Sequence, residues 1–118
     1  MGGAVGSVLR YFVTIFLARV GTGYFPLGTF TANVTGSLLL GFFSGYFAPS
    51  MSSPVTLALT VGLCGGYTTF STFTLELFRL AERGEAGRGI LYAVASVVIS
   101  FGALAVGHLA ARMFRPVP

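Results

Sequence analysis

The chain has 118 residues and a formal net charge of +4, with 8% charged and 54% hydrophobic residues. A soluble domain carries about a quarter charged residues, because water must wet its surface. So few charges exclude an ordinary soluble domain and indicate that lipid is the outer solvent. All 7 basic residues are arginines, and Arg79, Arg83, Arg88, Arg112 and Arg115 flank apolar runs, which is typical of membrane anchoring and not of a nucleic-acid-binding patch.

Four apolar stretches follow one another along the chain, each close to the length that crosses a bilayer. A spanning helix needs about 20 mostly apolar residues. Proline, glycine and charged residues mark off stretches of this size at about residues 3–20, 27–47, 55–77 and 89–113. We therefore predict a single all-α transmembrane domain of four helices over residues 1–118. Residues 79–88 are predicted to form the one clearly polar loop.

The arginines are distributed almost evenly between the two ends of the predicted bundle. Because an excess of arginine and lysine sets orientation, this weak bias permits insertion in both orientations. Two copies could then pair antiparallel, and so small a bundle needs a partner to enclose a polar path. Ser37, Gly41 and Gly45 form a stripe of small residues that lets helices approach closely. The stripe could pack within one subunit or between two, and the sequence leaves both open.

The residues that an enzyme or a metal cluster would need are missing from the sequence. His108 is the one histidine and Cys64 the one cysteine, so neither a metal-ligating cluster nor an internal disulfide is possible. The sequence shows no plausible set of a catalytic nucleophile with its general base and acid, and no phosphate-binding glycine–lysine loop. We predict that the protein is not an enzyme and that His108 is a packed or interfacial residue.

Polar side chains recur at four-residue spacing in the second and fourth stretches. Thr29, Asn33 and Ser37 share one face of the second predicted helix. The fourth repeats the spacing with hydroxyl groups, at Tyr92, Ser96 and Ser100. Polar groups inside a membrane are costly and usually mark an ion or substrate path. The alternative is that they join helices by hydrogen bonds.

The third stretch predicts a helix that is broken at mid-membrane. Gly65 and Gly66 are followed by hydroxylated and β-branched residues, which are poor helix formers. Irregular backbone at that depth is tolerated where it lines a cavity, and it exposes groups that can hold ions. Phe70 and Phe73 could direct the positive edges of their rings towards an anion, although core packing is the favoured explanation of two phenylalanines taken alone. Neutral donors and aromatic edges together suit an anion that must lose its water and leave again.

The sequence resembles the Fluc (CrcB) family of bacterial fluoride channels over essentially its full length. The motif at residues 65–73, GGYTTFSTF, is the most specific part of the resemblance. The other matching pieces are residues 2–6 leading to Arg10 and Tyr11, and Gly28 and Thr29 with Asn33, Gly36 and Ser37.

The resemblance implies an antiparallel, dual-topology homodimer with two pores that exports fluoride passively across the cytoplasmic (inner) membrane, as a multi-pass protein. Asn33 would donate to the dehydrated ion, and the ring edges of Phe70 and Phe73 would contact it. Arg10 would lie in an aqueous vestibule and Glu76 at a pore mouth. The further polar pore positions would be Thr29, Ser71, Thr72, Tyr92, Ser96 and Ser100.

The resemblance also implies a structural sodium ion on the dimer axis. By motif position, the backbone carbonyls of Gly65 and Thr68 from both subunits would bind it. The ion would stabilise the interface and would not be transported. The partners implied are therefore fluoride, a second copy of the chain and membrane lipid, and no nucleic acid.

Two other functions are compatible with a small four-helix membrane protein. A small multidrug-resistance-type transporter needs a carboxylate in the first span, where this chain has only Arg10. A non-transporting membrane subunit would use its polar stripes only to hold helices together. The ordered placement of Asn33, the broken third span and the hydroxyls of the fourth span argue against this second alternative.

Overall fold

The computed structural model describes residues 1–20, 25–50 and 52–115, without the side chains of residues 19 and 20. Every regular element in this part of the chain is helical, which confirms the predicted all-α fold. Helix α1 runs over Gly2–Val20 and α2 over Leu27–Tyr46, and a single 3₁₀ turn follows at Ala48–Ser50. The last helix, α5, covers Ala86–Phe114.

The third apolar stretch forms two helices, α3 over residues 54–67 and α4 over Ser71–Glu82. Helix α3 begins where the Ser53 side chain accepts a hydrogen bond from the Thr56 N–H and Pro54 occupies the first turn. Its middle, Ala58–Cys64, is π-helical. Residues 68–70 are not helical, so the third stretch is interrupted just after Gly65 and Gly66, which are still helical, and its depth in the membrane stays a prediction.

The polar loop predicted at residues 79–88 is wrong in its extent. Helix α4 continues to Glu82 and α5 already begins at Ala86, so residues 83–85 alone connect them. Gly84 makes the turn with a φ of +73°, a conformation that glycine adopts without strain. Charged side chains mark the end of an apolar run, but arginine and glutamate are good helix formers and do not end a helix.

Helices α2 and α5 pack with their backbones in direct contact. A Cβ atom on Gly41 would overlap the carbonyl of Leu104, and one on Gly107 would overlap the carbonyl of Leu38. A Cβ on Gly45 would lie 2.8 Å from the carbonyl oxygen of His108. These glycines therefore serve packing within one subunit, which was one of the two possibilities that the sequence left open.

Little of the apolar surface is buried within one chain. Only a few hydrophobic side chains of the described residues are buried, namely Ala32, Cys64, Phe73, Leu80, Tyr92 and Ala111. Large apolar side chains along α1 and α5 are exposed instead, for example Phe12, Phe16, Val97 and Phe101. A surface of this kind needs lipid or another protein chain to cover it.

Among the described helices, α5 alone has both the length and the apolar composition to cross a bilayer unaided. The apolar stretch Gly2–Ala18 in α1 is shorter. Helix α2 carries Asn33 and several threonine and serine residues, which lower its mean hydropathy. The third stretch is divided into two shorter helices. Neither is therefore a continuous apolar span. The four-span arrangement therefore stays a prediction.

Candidate ion path

Asn33 joins α2 to the interruption between α3 and α4. Its Oδ1 accepts a hydrogen bond of 2.8 Å from the Thr69 N–H, and its Nδ2 donates to the Thr69 carbonyl oxygen at 3.1 Å. One side chain thus binds both backbone groups of one residue in the break. A carboxamide has two N–H donors, so the second remains for another acceptor in the groove.

The break changes which backbone carbonyls have helical partners. In a continuous helix the Thr69 N–H would donate to the Gly65 carbonyl, but here it donates to Asn33. Likewise the Thr72 N–H, which would donate to Thr68, donates to Thr69 Oγ1 at 3.3 Å. The carbonyls of Gly65 and Thr68 therefore lose their helical partners. A Cβ on Gly65 would have no atom of the described chain within 4 Å, so nothing in this subunit covers that position.

A groove of about 290 Å³ lies between α2, the break and α5. It brings together Asn33, Phe70, Phe73, Ser96 and Ser100 from the predicted set. None of the described residues that line it carries a charge. The remaining lining residues are Ser37, Leu40, Thr68, Thr69 and Val97.

Three hydroxyl groups along α5 are buried and lack hydrogen-bond partners among the described residues, namely those of Tyr92, Ser96 and Ser100. Other hydroxyls of the chain bond to the preceding helical turn, as Thr35 does to the Thr31 carbonyl at 2.7 Å and Thr60 to Thr56 at 2.8 Å. A buried hydroxyl without a partner costs free energy. Ser96 and Ser100 line the groove and are therefore candidate donors to a ligand there, whereas Tyr92 does not line it.

Phe70 and Phe73 line the groove in different environments. Their ring centroids lie 5.9 Å apart with the ring planes at 37°. Phe73 is 8% exposed and packs on Tyr92 with a centroid distance of 5.0 Å, whereas Phe70 is 76% exposed. Phe73 thus belongs to both the core and the groove, and core packing within this chain does not account for Phe70.

Thr29 lies one turn before Asn33 on α2, and Glu76 lies one turn after Phe73 on α4. The Thr29 hydroxyl donates to Glu76 Oε1 at 2.5 Å, which joins α2 to α4. Both residues line a second cavity of about 340 Å³ at the end of α4. Arg79 and Arg83, which the sequence analysis did not select, line the same cavity.

Some of the predicted site residues lie outside the groove of a single chain. Ser71 and Thr72 occupy the first turn of α4 and are exposed. Arg10 lies on α1 and lines neither of the two cavities described. The sequence analysis did not select Thr69 as a site residue. Thr69 binds Asn33 through its backbone N–H and carbonyl groups, which no pattern of side chains reveals.

Helices throughout the described part of the chain, an apolar outer surface and an uncharged polar groove together indicate a helical membrane protein. Residues 1–108 match the family described as CrcB-like protein, Camphor Resistance (CrcB). The chain belongs to this family, which confirms the resemblance drawn from its motifs.

Curated relatives cover most of the chain. The fluoride-specific ion channel FluC 1 of Nitrobacter hamburgensis is 53% identical over 108 residues, which are 90% of this chain and 86% of that protein. The fluoride-specific ion channel FluC of a Methylobacterium species is 42% identical over 116 residues, 97% of this chain and 93% of the relative. That of Phocaeicola vulgatus is 43% identical over 110 residues, 91% and 89% of the two chains.

Proposed function

We propose that this protein is a fluoride-selective ion channel that exports fluoride passively across the cytoplasmic membrane. The observation that carries the proposal is the uncharged groove, which Asn33, Ser96 and Ser100 line together and in which the two serine hydroxyls have no partner among the described residues. Neutral donors replace part of the hydration shell of a small anion without binding it too tightly for release. The relatives named fluoride-specific channels favour fluoride as that anion.

The functional unit of this proposal is an antiparallel homodimer of four-span subunits with two pores. The groove is open and Phe70 is 76% exposed beside it, so a second chain is needed to exclude lipid from the path. The break at residues 68–70 would then lie at mid-membrane, where irregular backbone must be buried in protein. In this assembly Ser71 and Thr72 would face the pore across the interface, and Arg10 would lie in a vestibule.

The same proposal includes a structural sodium ion on the dimer axis. Gly65 and Thr68 would supply it with the carbonyl oxygens that the break releases from helical hydrogen bonding. Hard cations prefer oxygen ligands, and neutral carbonyls suit a monovalent ion. Gly65 is exposed with no neighbour over its α-carbon, which leaves room for the ion and the second subunit. The ion would stabilise the interface.

Growth of a bacterial strain that lacks its own fluoride exporter tests the proposed physiology. Expression of the parent chain is expected to restore growth in fluoride at mildly acidic pH, where hydrogen fluoride enters cells. An Asn33→Asp variant, checked for equal membrane expression, is expected not to restore it. Absence of rescue by a parent chain present in the membrane would contradict fluoride export.

A further inference from the structure

Tyr67 lies between the two residues whose carbonyl groups would hold the proposed sodium ion, Gly65 and Thr68. Its hydroxyl oxygen lies 2.8 Å from Thr35 Oγ1 on α2. The Thr35 hydroxyl uses its one proton in the bond to the Thr31 carbonyl oxygen, at 2.7 Å. Thr35 Oγ1 is therefore the acceptor, and Tyr67 donates a hydrogen bond from the end of α3 to α2.

The end of α3 fits closely against both α1 and α2. A Cβ atom on Gly36 of α2 would overlap the Thr68 methyl group and would lie 3.0 Å from Cδ1 of the Tyr67 ring. A Cβ on Gly6 of α1 would lie 2.7 Å from the Tyr67 backbone nitrogen. Both glycines let a neighbouring helix approach the residues around the proposed cation site directly.

The chain leaves the helix at Thr68. This residue has a ψ of 160°, against about −42° in an α-helix, so its carbonyl group does not continue along α3. Its N–H and its hydroxyl both donate to the Cys64 carbonyl oxygen, at 2.9 Å each. Both donors of Thr68 are thus satisfied within α3, while its carbonyl oxygen lacks the helical bond from the Thr72 N–H.

Hydrogen bonds to α2 hold the residues on both sides of Thr68. Tyr67 is held through its side chain by Thr35, and Thr69 is held through its backbone by Asn33. These bonds fix the chain before and after the Thr68 carbonyl, so that group has little freedom to rotate. Asn33 lines the groove, but Tyr67 does not, so the ion path leaves the Tyr67 bond without a function.

We propose that Tyr67 is a positioning residue for the structural sodium ion, because its hydrogen bond to Thr35 holds the carbonyl groups of Gly65 and Thr68 in the orientation that binds a cation. This inference rests on the proposed sodium site and names the side chain that supports it. Hydrogen bonds behind the ligands of a metal ion orient those ligands, and their removal commonly lowers the affinity about 10-fold to 100-fold.

Helix packing alone would also explain the bond between Tyr67 and Thr35. In that case its loss would lower the melting temperature by the same amount at every sodium concentration. A positioning role would instead raise the sodium concentration that gives half of the stabilisation by sodium, since binding to the folded state alone stabilises it in proportion to the affinity. The sodium dependence of the melting temperature separates the two roles.

The experiment measures the melting temperature of purified dimers in detergent by circular dichroism. Sodium chloride is exchanged stepwise for N-methylglucamine chloride at constant ionic strength. Tyr67→Phe keeps the ring and removes the hydroxyl, Thr35→Val removes the acceptor with little change of shape, and Thr35→Ser keeps it. Tyr46→Phe is the matched control, since it removes the same hydroxyl from the last residue of α2, where the ring stacks on Phe42.

Tyr67→Phe and Thr35→Val are each expected to raise the sodium concentration for half-maximal stabilisation about tenfold. The double variant is expected to show the same shift as each single variant, because all three lack the same hydrogen bond. Thr35→Ser and Tyr46→Phe are expected to stay near the parent.

A Tyr67→Phe variant with the sodium dependence of the parent would overturn the proposal, even if its melting temperature were uniformly lower. A shift in Tyr67→Phe that Thr35→Val does not share would also overturn it, since the bond between them would not be the cause. If Tyr67→Phe does not fold, the contrast between Thr35→Val and Thr35→Ser tests the same bond. A parent whose melting temperature does not depend on sodium would contradict the proposed sodium site itself, and fluoride efflux then tests the channel function separately.

Discussion

At the scale of single residues, Asn33 combines two tasks that the sequence could not separate. Its carboxamide hydrogen-bonds to both backbone groups of Thr69, as a helix-joining asparagine would. Asn33 also lines the groove, and the second N–H of its amide is not used in these two bonds. The structural and functional explanations of this residue are therefore compatible. Substitutions at Asn33 should separate them.

Asn33→Asp and Asn33→Ala are expected to fail in different ways. Aspartate keeps the acceptor for the Thr69 N–H but places a negative charge on the path, so fluoride flux should be abolished with the dimer still assembled. Alanine leaves both Thr69 backbone groups unpaired at a cost of about 1–3 kcal/mol each, so it should also lower thermal stability. Fluoride flux and melting temperature measured on purified dimers check both results. Flux at the parent rate in Asn33→Asp would remove Asn33 from the pore.

Phe70→Ile is expected to cut fluoride flux sharply, because the proposed path uses the edge of the Phe70 ring to contact the anion. The dimer is expected to stay assembled, because Phe70 does not pack in the core. Phe101→Ile is the matched control, since Phe101 is 75% exposed, almost as much as Phe70 at 76%, and lies on α5 outside the groove. Flux per dimer and size-exclusion profiles are compared. An unchanged fluoride flux in Phe70→Ile would mean that Phe70 serves packing and not the ion path.

Ser96→Ala is expected to lower fluoride flux without loss of stability, because the Ser96 hydroxyl has no partner among the described residues. Ser44→Ala provides the comparison, as that hydroxyl donates to the Gly41 carbonyl at 3.0 Å and lies outside the groove. Its removal should leave flux unchanged. Parent flux in Ser96→Ala, or a loss of stability there, would mean that the hydroxyl serves packing.

At the scale of helices, close backbone contact between α2 and α5 holds the two polar faces beside each other. Gly41→Ala is expected to destabilise the protein by about 1–3 kcal/mol, because the new methyl group meets the Leu104 carbonyl. Gly102→Ala adds the same group on α5, where no atom lies within 4 Å, and should be tolerated. Melting temperatures of the two variants in one detergent test the contrast. Equal stability would contradict the packing described for Gly41.

The sequence predicted the helices better than the contacts between them. The apolar runs predicted four helical regions, and Gly65 and Gly66 lie just before the interruption at residues 68–70, because local propensity and hydropathy act over short distances. The end of α4 was misplaced because Arg79 and Glu82 continue a helix that has left the apolar run. The Asn33 contact with Thr69 and the contact of Thr29 with Glu76 depend on tertiary packing, which no spacing in one chain reveals.

At the scale of the whole molecule, a single chain leaves three features without a partner in its described part. Its groove is open, its apolar surface is largely exposed, and the carbonyls of Gly65 and Thr68 lack their helical partners. A second subunit and a sodium ion would satisfy all three. Exchange of sodium for a larger organic cation during purification is therefore expected to weaken the dimer. A size-exclusion profile in detergent that does not change with the cation would contradict the sodium site.

The central claim is that this chain forms a fluoride-selective path, and efflux from liposomes tests it most directly. Vesicles loaded with potassium fluoride and matched vesicles loaded with potassium chloride are followed with ion-selective electrodes after addition of valinomycin. The structure predicts rapid fluoride release that depends on valinomycin, and no chloride release above that of protein-free vesicles. No fluoride release from folded dimers, or equal release of both anions, would contradict the claim.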